Sequence, residues 1–409
     1  MECRFCKTKL EHLFIDLVNS PASNSFLTPE QLNEPETFYP LKVYTCHKCF
    51  LVQVDEYKKS DAIFDSNYAY FSSYSKSWLK HASDYVDTMT GRFKYNEESL
   101  VIEIASNDGY LLQYFLAKGI PVMGIEPTAN TAEVAIGKGI KTVVEFFGTE
   151  LADRLANHWD VRADLILGNN VLAHVPDIVD FISGMKIILK PGGVITMEFP
   201  HLMQLVDNSQ FDTIYHEHFS YLSFYTVKQL FAAQDLEVFD VDEIPTHGGS
   251  LRIYAKHEAD NSKPVTERVG QLIRKEEDKG MDKLAYYDHF QQKAFKVKLA
   301  LIEFLIEQKK AGKKVAAYGA AAKGNTLLNY CGIKNDMIEF VVDASPHKQN
   351  KFLPASHIPV VEEEQLKQGK PDYIIILPWN LKEEIIGQLS YVRDWGAKFV
   401  IPIPELQVI

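Results

Sequence analysis

The 409-residue sequence is short of cysteine, with five, and short of positive charge: 43 Lys and Arg face 55 Asp and Glu, a formal charge of -12. A chain this acidic repels a phosphate-rich polymer on average, which argues against DNA or RNA as the main partner. A small anion stays open, because one lysine and a helix N-terminus suffice to hold it. No apolar run of about 18 residues is present, so no membrane partner is expected. The N-terminus, Met1-Glu2-Cys3-Arg4-Phe5-Cys6, lacks the charged-then-apolar pattern of a secretion signal. An odd cysteine count without such a signal points to a reducing compartment, and a cytoplasmic monomer is expected.

What is present is core material: 46% hydrophobic residues, 12% of the chain aromatic, in a length that asks for two or three domains. Three blocks follow from the pattern. Residues 1–75 hold two Cys-x-x-Cys pairs and little helical periodicity. Residues 76–255 alternate helical segments with apolar runs at 99–105, 120–125, 164–168 and 193–199, the mark of a parallel sheet covered on both faces. Residues 256–409 open with one long helical stretch, roughly 264–311. A second α/β pattern follows, with strands near 314–318, 338–342, 373–377 and 398–401.

Cys3, Cys6, Cys46 and Cys49 read as two knuckles, each able to aim two thiolates at one tetrahedral ion; together they would close a four-cysteine zinc site with no open position, hence a structural one, the other readings being two pairs of ordinary thiols or a redox disulfide. Cys331 is left over and reads as a small apolar residue.

In the middle block a strand ends in Glu103-Ile104-Ala105-Ser106-Asn107-Asp108-Gly109, and a second ends in Gly124-Ile125-Glu126. An acidic residue at the tip of the second strand suits a ribose, which fits either a nicotinamide dinucleotide or S-adenosylmethionine. The turn separates the two. A pyrophosphate wants G-x-G-x-x-G, whereas here Ser106 and Asn107 occupy the turn and Gly109 is its single glycine. Asp108 also reads as a cap for the next helix. The strand and loop Asp164 to Asp177, with Asn169, Asn170 and His174, and the turn Lys190-Pro191-Gly192-Gly193 are similar to the fourth- and fifth-strand regions of class I methyltransferases.

Downstream, Tyr215-His216-Glu217-His218 packs four polar groups together. Spacing alone leaves three readings open: a metal site, with both histidines on one face of an extended segment; acid/base catalysis; or hydrogen-bonded support for a loop. Near the C-terminal block, Tyr318-Gly319-Ala320-Ala321-Ala322-Lys323-Gly324-Asn325 is a small-residue turn with a lysine, readable as a pyrophosphate cradle, as close helix–sheet packing, or as an NAD site.

These blocks occur in one order, together with His247-Gly248-Gly249-Ser250-Leu251-Arg252 and Asp343-Ala344-Ser345-Pro346-His347-Lys348, and over essentially the whole chain they resemble the sugar C-3 methyltransferase family. The resemblance implies a small zinc-binding domain, a class I Rossmann-like methyltransferase domain and a second Rossmann-like α/β domain enclosing a nucleotide-linked 4-keto-6-deoxysugar. It implies His218 as base with Glu217 and Tyr215 beside it; Tyr215 is then placed to donate to the developing enolate oxygen, and Glu217 to orient a ring nitrogen or hold a sugar hydroxyl. S-adenosylmethionine would lie against Glu103, Ser106, Asn107, Gly109, Glu126, Asn169, Asn170 and His174. The sugar nucleotide would meet Tyr70, His247, Ser250, Arg252, Lys323, Asn325, Asp343, Lys348 and Asn380. Where related C-terminal domains carry glycine, this chain has Asn350 and Ala355, and a side chain there restricts a tight loop. Two other classes compete: an NAD-dependent sugar-nucleotide oxidoreductase and a non-catalytic zinc-containing scaffold.

Overall fold

The structure, a computed structural model, describes residues 1–57 and 71–409. Among these, the strands form three sheets. The first begins with β1 (His12–Ser20), β2 (Tyr39–Thr45) and β3 (Val52–Val54), paired antiparallel.

The middle of the chain contributes β4 (Val101–Ile104), β5 (Val122–Ile125), β6 (Lys141–Val143), β7 (Ala163–Asn169), β8 (Leu189–Pro200), β9 (Ser220–Tyr221), β10 (Leu236–Ile244) and β11 (Ser250–His257). All but β9 build one sheet in the order β10-β11-β8-β7-β4-β5-β6. The strands from β6 to β8 are parallel, and β11 runs antiparallel between β8 and β10. Every residue of β4 is buried, as expected for a strand covered on both faces. The chain winds outward from β4 through β5 to β6, then returns to β7 on the other side of β4. That reversal opens a crevice at the carboxyl ends of β4 and β7, where open α/β sheets bind ligands.

β9 leaves this sheet altogether. It pairs antiparallel with β3, with Val52 opposite Tyr221 and Gln53 opposite Ser220, and completes the N-terminal sheet. The segment just before β9 is Tyr215 to Phe219, so the N-terminal block grips the polar loop directly. Val54 N–H donates to Phe219 O at 3.1 Å, and Phe219 N–H donates to Ala173 O at 2.7 Å.

The third sheet is β12 (Val315–Tyr318), β13 (Val341–Val342), β14 (Val360–Val361), β15 (Tyr373–Ile376), β16 (Lys398–Ile401) and β17 (Gln407–Val408), in the order β14-β13-β12-β15-β16-β17. Its strands are parallel except β17. A second reversal, between β12 and β15, places Gly319–Lys323 and Pro378–Asn380 at its crevice. The two crevices meet: the turn Thr246–Gly248 packs on the turn Trp379–Leu381.

The single helix expected over 264–311 is two helices, Glu267–Asp278 and Phe290–Lys310. Gly280 takes φ +82, and the connecting segment is drawn into the core, burying Met281 and Tyr287 and letting the Tyr287 hydroxyl donate to Met281 O at 2.7 Å. Burial of apolar side chains overrode a continuous polar helical pattern. The first of the two helices packs on β10. Among the described residues, no helix is long and apolar enough to cross a membrane.

Candidate active site

The two cysteine knuckles are built alike. Lys7 N–H donates to Cys3 O and Phe50 N–H to Cys46 O, both at 3.0 Å, and Lys7 and Phe50 take φ of 58 and 61 to close the turns. The four sulfurs lie within 4.8 Å of one another and, among the described residues, are the one His/Cys/Asp/Glu group placed to hold a metal ion. Sulfur separations are 3.5 Å for Cys3–Cys49, 3.5 Å for Cys6–Cys46 and 3.6 Å for Cys6–Cys49. A tetrahedron with metal–sulfur arms of about 2.3 Å has edges of about 3.8 Å, so the set fits zinc with a slight opening. The site is tied into the molecule: Gln53 Nε2 donates to Cys3 Sγ at 3.3 Å and Thr226 Oγ1 to Cys49 O at 3.1 Å.

At the first crevice, the turn after β4 takes left-handed backbone at Ala105, Asn107 and Gly109. Gly109 is required twice over: φ is +73, and a Cβ there would lie 2.4 Å from the Ile140 side chain. Glu126, at the tip of β5, accepts from the Asn107 and Thr128 backbone N–H groups, each at 2.9 Å, and from the Thr128 hydroxyl. It therefore braces the turn that follows β4. Glu103 is fully buried in β4; neither carboxylate oxygen has a hydrogen-bond partner of ordinary geometry, and burial pushes its pKa well up. A buried carboxyl so placed fits a cationic amino group of the kind S-adenosylmethionine carries. Ser106 is buried behind Gly124, whose missing side chain makes room for it. Asn169 Nδ2 donates to the Tyr110 hydroxyl at 3.4 Å, and Asn170 Nδ2 lies 3.5 Å from His247 Nδ1. Over this turn runs a strap: Ser72 N–H donates to Asn107 Oδ1 at 2.9 Å and Ser73 N–H to Asp108 Oδ2 at 3.3 Å, while Phe71 stacks on His347 of the C-terminal block.

The polar loop lies where the crevices meet. His218 Nδ1 is 2.8 Å from Thr213 O, so Nδ1 carries the proton and donates, and Nε2 keeps its lone pair. The Tyr215 ring lies 4.0 Å from the His218 ring, and the His174 ring meets it edge-on at 4.5 Å. Burial, then the neighbouring His174, hold His218 well below the ordinary histidine value, and burial brings His174 down to about 4. Glu217 accepts from Asn24 Nδ2 at 2.9 and 3.0 Å, so the N-terminal block fixes it. His216 points elsewhere, 3.2 Å from Pro40 O and edge-on to Tyr39. The two histidines do not share a metal-binding face.

The remaining expected ligand residues are dispersed. Arg252 is buried on β11, where it donates to Glu198 Oε2 at 2.9 Å; His81 Nε2 lies 2.8 Å from the same oxygen and Thr246 Oγ1 donates to Oε1 at 3.0 Å. Ser250 closes the adjoining turn on Thr246 O. His247 takes φ +55 at the tip of that turn, and burial brings it down to about 4. Lys323 donates to Asn380 Oδ1 at 2.6 Å, bringing two expected residues together. Asn325 instead donates to Ser23 O of the N-terminal block. Asp343 accepts from Ala320 N–H and Ser345 N–H, and Lys348 donates to Ala320 O at 3.0 Å. Tyr70 lies outside the described residues. Sequence reasoning passed over Asn24, His81, Asp212, Glu198 and Trp379. Asp212 stood three residues before Tyr215, but nothing in its neighbours marked it as buried.

Residues 3–64 match a zinc-binding-domain family model, 78–241 a methyltransferase-domain model, and 245–404 a model described as the C-methyltransferase C-terminal domain. The C-methyltransferase NovU of Streptomyces niveus is 34% identical over 408 residues, covering 100% of this chain and 96% of that protein. Among solved structures, an S-adenosylmethionine-dependent methyltransferase of Clostridium acetobutylicum covers 44% of this chain and 91% of its own at 12% identity and a TM-score of 0.36. The magnesium protoporphyrin IX methyltransferase of Synechocystis covers 43% and 78%, at 12% identity and 0.33. With four thiols set for zinc, a methyltransferase-type sheet and a full-length relative at this identity, the chain belongs to the sugar C-methyltransferase family and is an S-adenosylmethionine-dependent, zinc-binding enzyme.

Proposed function

We propose that the enzyme methylates C-3 of a nucleotide-linked (dTDP- or GDP-linked) 4-keto-6-deoxysugar, with His218 as base. One observation carries the reading: the Thr213 carbonyl holds His218 Nδ1 and leaves Nε2 as an unprotonated acceptor where the two crevices meet. A carbon beside a ketone must lose its proton before it can become a nucleophile, and a histidine kept neutral by burial is ready to take it. Tyr215, its ring tilted against that of the base, orders the imidazole and lines the sugar pocket. Glu217, held by Asn24, presents its carboxylate to a sugar hydroxyl.

In the cofactor crevice Glu103 would hold the amino group, Glu126 the ribose and the Ser106–Gly109 turn with Asn169, Asn170 and His174 the rest. S-adenosylmethionine supplies the electrophilic methyl group when bound there. His247 and Lys323, with Asn380, face the sugar nucleotide from the other side; Arg252 serves that face from beneath, by fixing the β8–β11 pair that carries His247.

The test is transfer of labelled methyl from S-adenosylmethionine to a dTDP- or GDP-linked 4-keto-6-deoxysugar, with loss of deuterium from a substrate deuterated at C-3. Transfer to oxygen or nitrogen, or turnover that needs NAD, overturns the proposal.

A further inference from the structure

Asp212 is fully buried in the turn Phe211–Thr213, directly before the residue whose carbonyl holds His218. Its Oδ2 accepts the Trp379 indole N–H at 2.7 Å, while Oδ1 is buried with no hydrogen-bond partner. A carboxylate so enclosed is costly unless an opposite charge lies near it. That charge is Lys323. Its ammonium donates to Asn380 Oδ1 at 2.6 Å and sits 4.9 Å from the centre of the Trp379 ring; burial lowers its pKa from the ordinary lysine value, and the Asp212 charge works against that by raising it.

Three groups therefore set the Lys323 ammonium: the Asp212 charge, the Asn380 amide oxygen and the Trp379 face. Trp379, which carries the ammonium on its face, is itself hydrogen-bonded to Asp212 just ahead of the polar loop. The Lys323 charge is felt at His218 and His247. The helix Ala322–Cys331 is fastened to the same loop, because Thr326 Oγ1 donates to Ile214 O at 2.9 Å. Gly248 faces Trp379 so closely that a Cβ would lie 2.5 Å from the ring, which keeps the indole in place against the first crevice. The other lysine of this crevice, Lys348, is spent on Ala320 O and Asp343.

Resting on the proposed proton abstraction, we propose that Lys323 is a catalytic residue that donates a hydrogen bond to the ketone oxygen of the substrate, and that Asp212 is the residue that positions it. In this step the C–H bond beside the ketone breaks and its proton passes to His218 Nε2. The C–H electron pair forms the new carbon–carbon double bond, and the carbonyl π pair moves to oxygen. A neutral imidazole and a neutral ketone become an imidazolium and an enolate, and the enolate oxygen meets the ammonium.

The experiment is exchange of the C-3 hydrogen in D2O, read by mass, with S-adenosylhomocysteine present and a dTDP-linked 4-keto-6-deoxysugar as substrate. If wild-type enzyme shows no exchange, the base reading itself fails. Given exchange, Lys323→Met is expected to slow both exchange and kcat about a hundredfold or more, the usual worth of one donor at a developing oxyanion. Affinity for dTDP alone, which keeps the pyrophosphate and lacks the sugar, stays near wild type. Lys323→Arg, which keeps the charge, recovers part of the exchange, and Asp212→Asn lowers kcat with KM held and shifts its pH profile. Lost dTDP affinity with exchange intact in Lys323→Met would make Lys323 a pyrophosphate ligand and overturn the proposal.

Discussion

Removing the zinc ion should silence the enzyme although no cysteine touches the reacting loop. A structural zinc site contributes about 10–16 kcal/mol of apparent binding energy, comparable to the whole stability of an ordinary domain, about 5–15 kcal/mol. The N-terminal sheet cannot outlast that loss. With it go the β3–β9 pairing, the bond from Val54 N–H to Phe219 O, and the Asn24 amide that holds Glu217. The cofactor crevice, made by β4, β5 and β7, shares no strand with that sheet. Treatment with a thiol-directed mercurial and a chelator should thus release zinc and methyl-transfer activity in step, by at least the factor expected for a misplaced base, about 10²–10⁴. Affinity for S-adenosylhomocysteine, measured by calorimetry, should hold within a few fold. Full turnover after stoichiometric zinc release would refute the coupling, and so would cofactor affinity that fell in step with activity.

His218→Ala should lower turnover by about two or more orders of magnitude with cofactor affinity unchanged; near-normal turnover would remove His218 from the mechanism. Because burial holds His218 below 6.5 in the folded protein, the base stays neutral as pH falls through 6.5, and kcat/KM should fail only at lower pH. The sign for stability follows: an unfolded histidine takes up a proton below 6.5 that the folded one refuses, so stability present above 6.5 is lost as pH falls through the folded value. Denaturant midpoints at pH 7 and pH 5 test this, and equal midpoints would contradict it. Arg252→Ala leaves Glu198 buried with His81 and Thr246 alone and should cost about 3–5 kcal/mol in urea unfolding; a loss under about 1 kcal/mol would mean the pair is not buried in solution. Ala355 holds φ 60, a conformation that costs a non-glycine residue roughly 1–2 kcal/mol, so Ala355→Gly should be stabilising by up to about 1 kcal/mol after glycine's own entropy is subtracted. A destabilised variant would show that the loop gains more from the side chain than it pays in backbone strain.

The sequence made the parallel parts of two sheets legible because β4, β5, β7, β12, β15 and β16 are short, mostly apolar runs bounded by polar turns, and β16 lies at 398–401 as read. The cysteine pairs were legible because two equal spacings leave few alternatives. The destination of β9 was not, since Ser220-Tyr221 is two residues long and joins a sheet whose other strands end at Val54. Arg252 shows the same limit in a side chain. It was expected to meet the sugar nucleotide, but the register of β11 on β8 turned it toward Glu198, 54 positions earlier. Asn350 and Ala355, expected to restrict a tight loop, take φ of 62 and 60, so the loop keeps a glycine-like path. Trp379 and Asp212 were missed because a buried aspartate is recognisable only through a partner 167 positions away.

The pairing of β3 with β9 also sets a schedule for biosynthesis. The strands up to Val54 leave the ribosome early, yet their edge partner is about 170 residues further on, a wait of roughly ten to thirty seconds at ordinary elongation rates. During that interval β3 is an open edge with three buried-type residues, the kind of surface that recruits foreign strands. Zinc capture by the two knuckles, which needs nothing beyond Cys49, can hold the nascent block compact until Ser220 arrives. In that order zinc would hold an unfinished sheet together before it serves the finished one, and a transplant of the N-terminal block onto another methyltransferase would have to carry β9 with it.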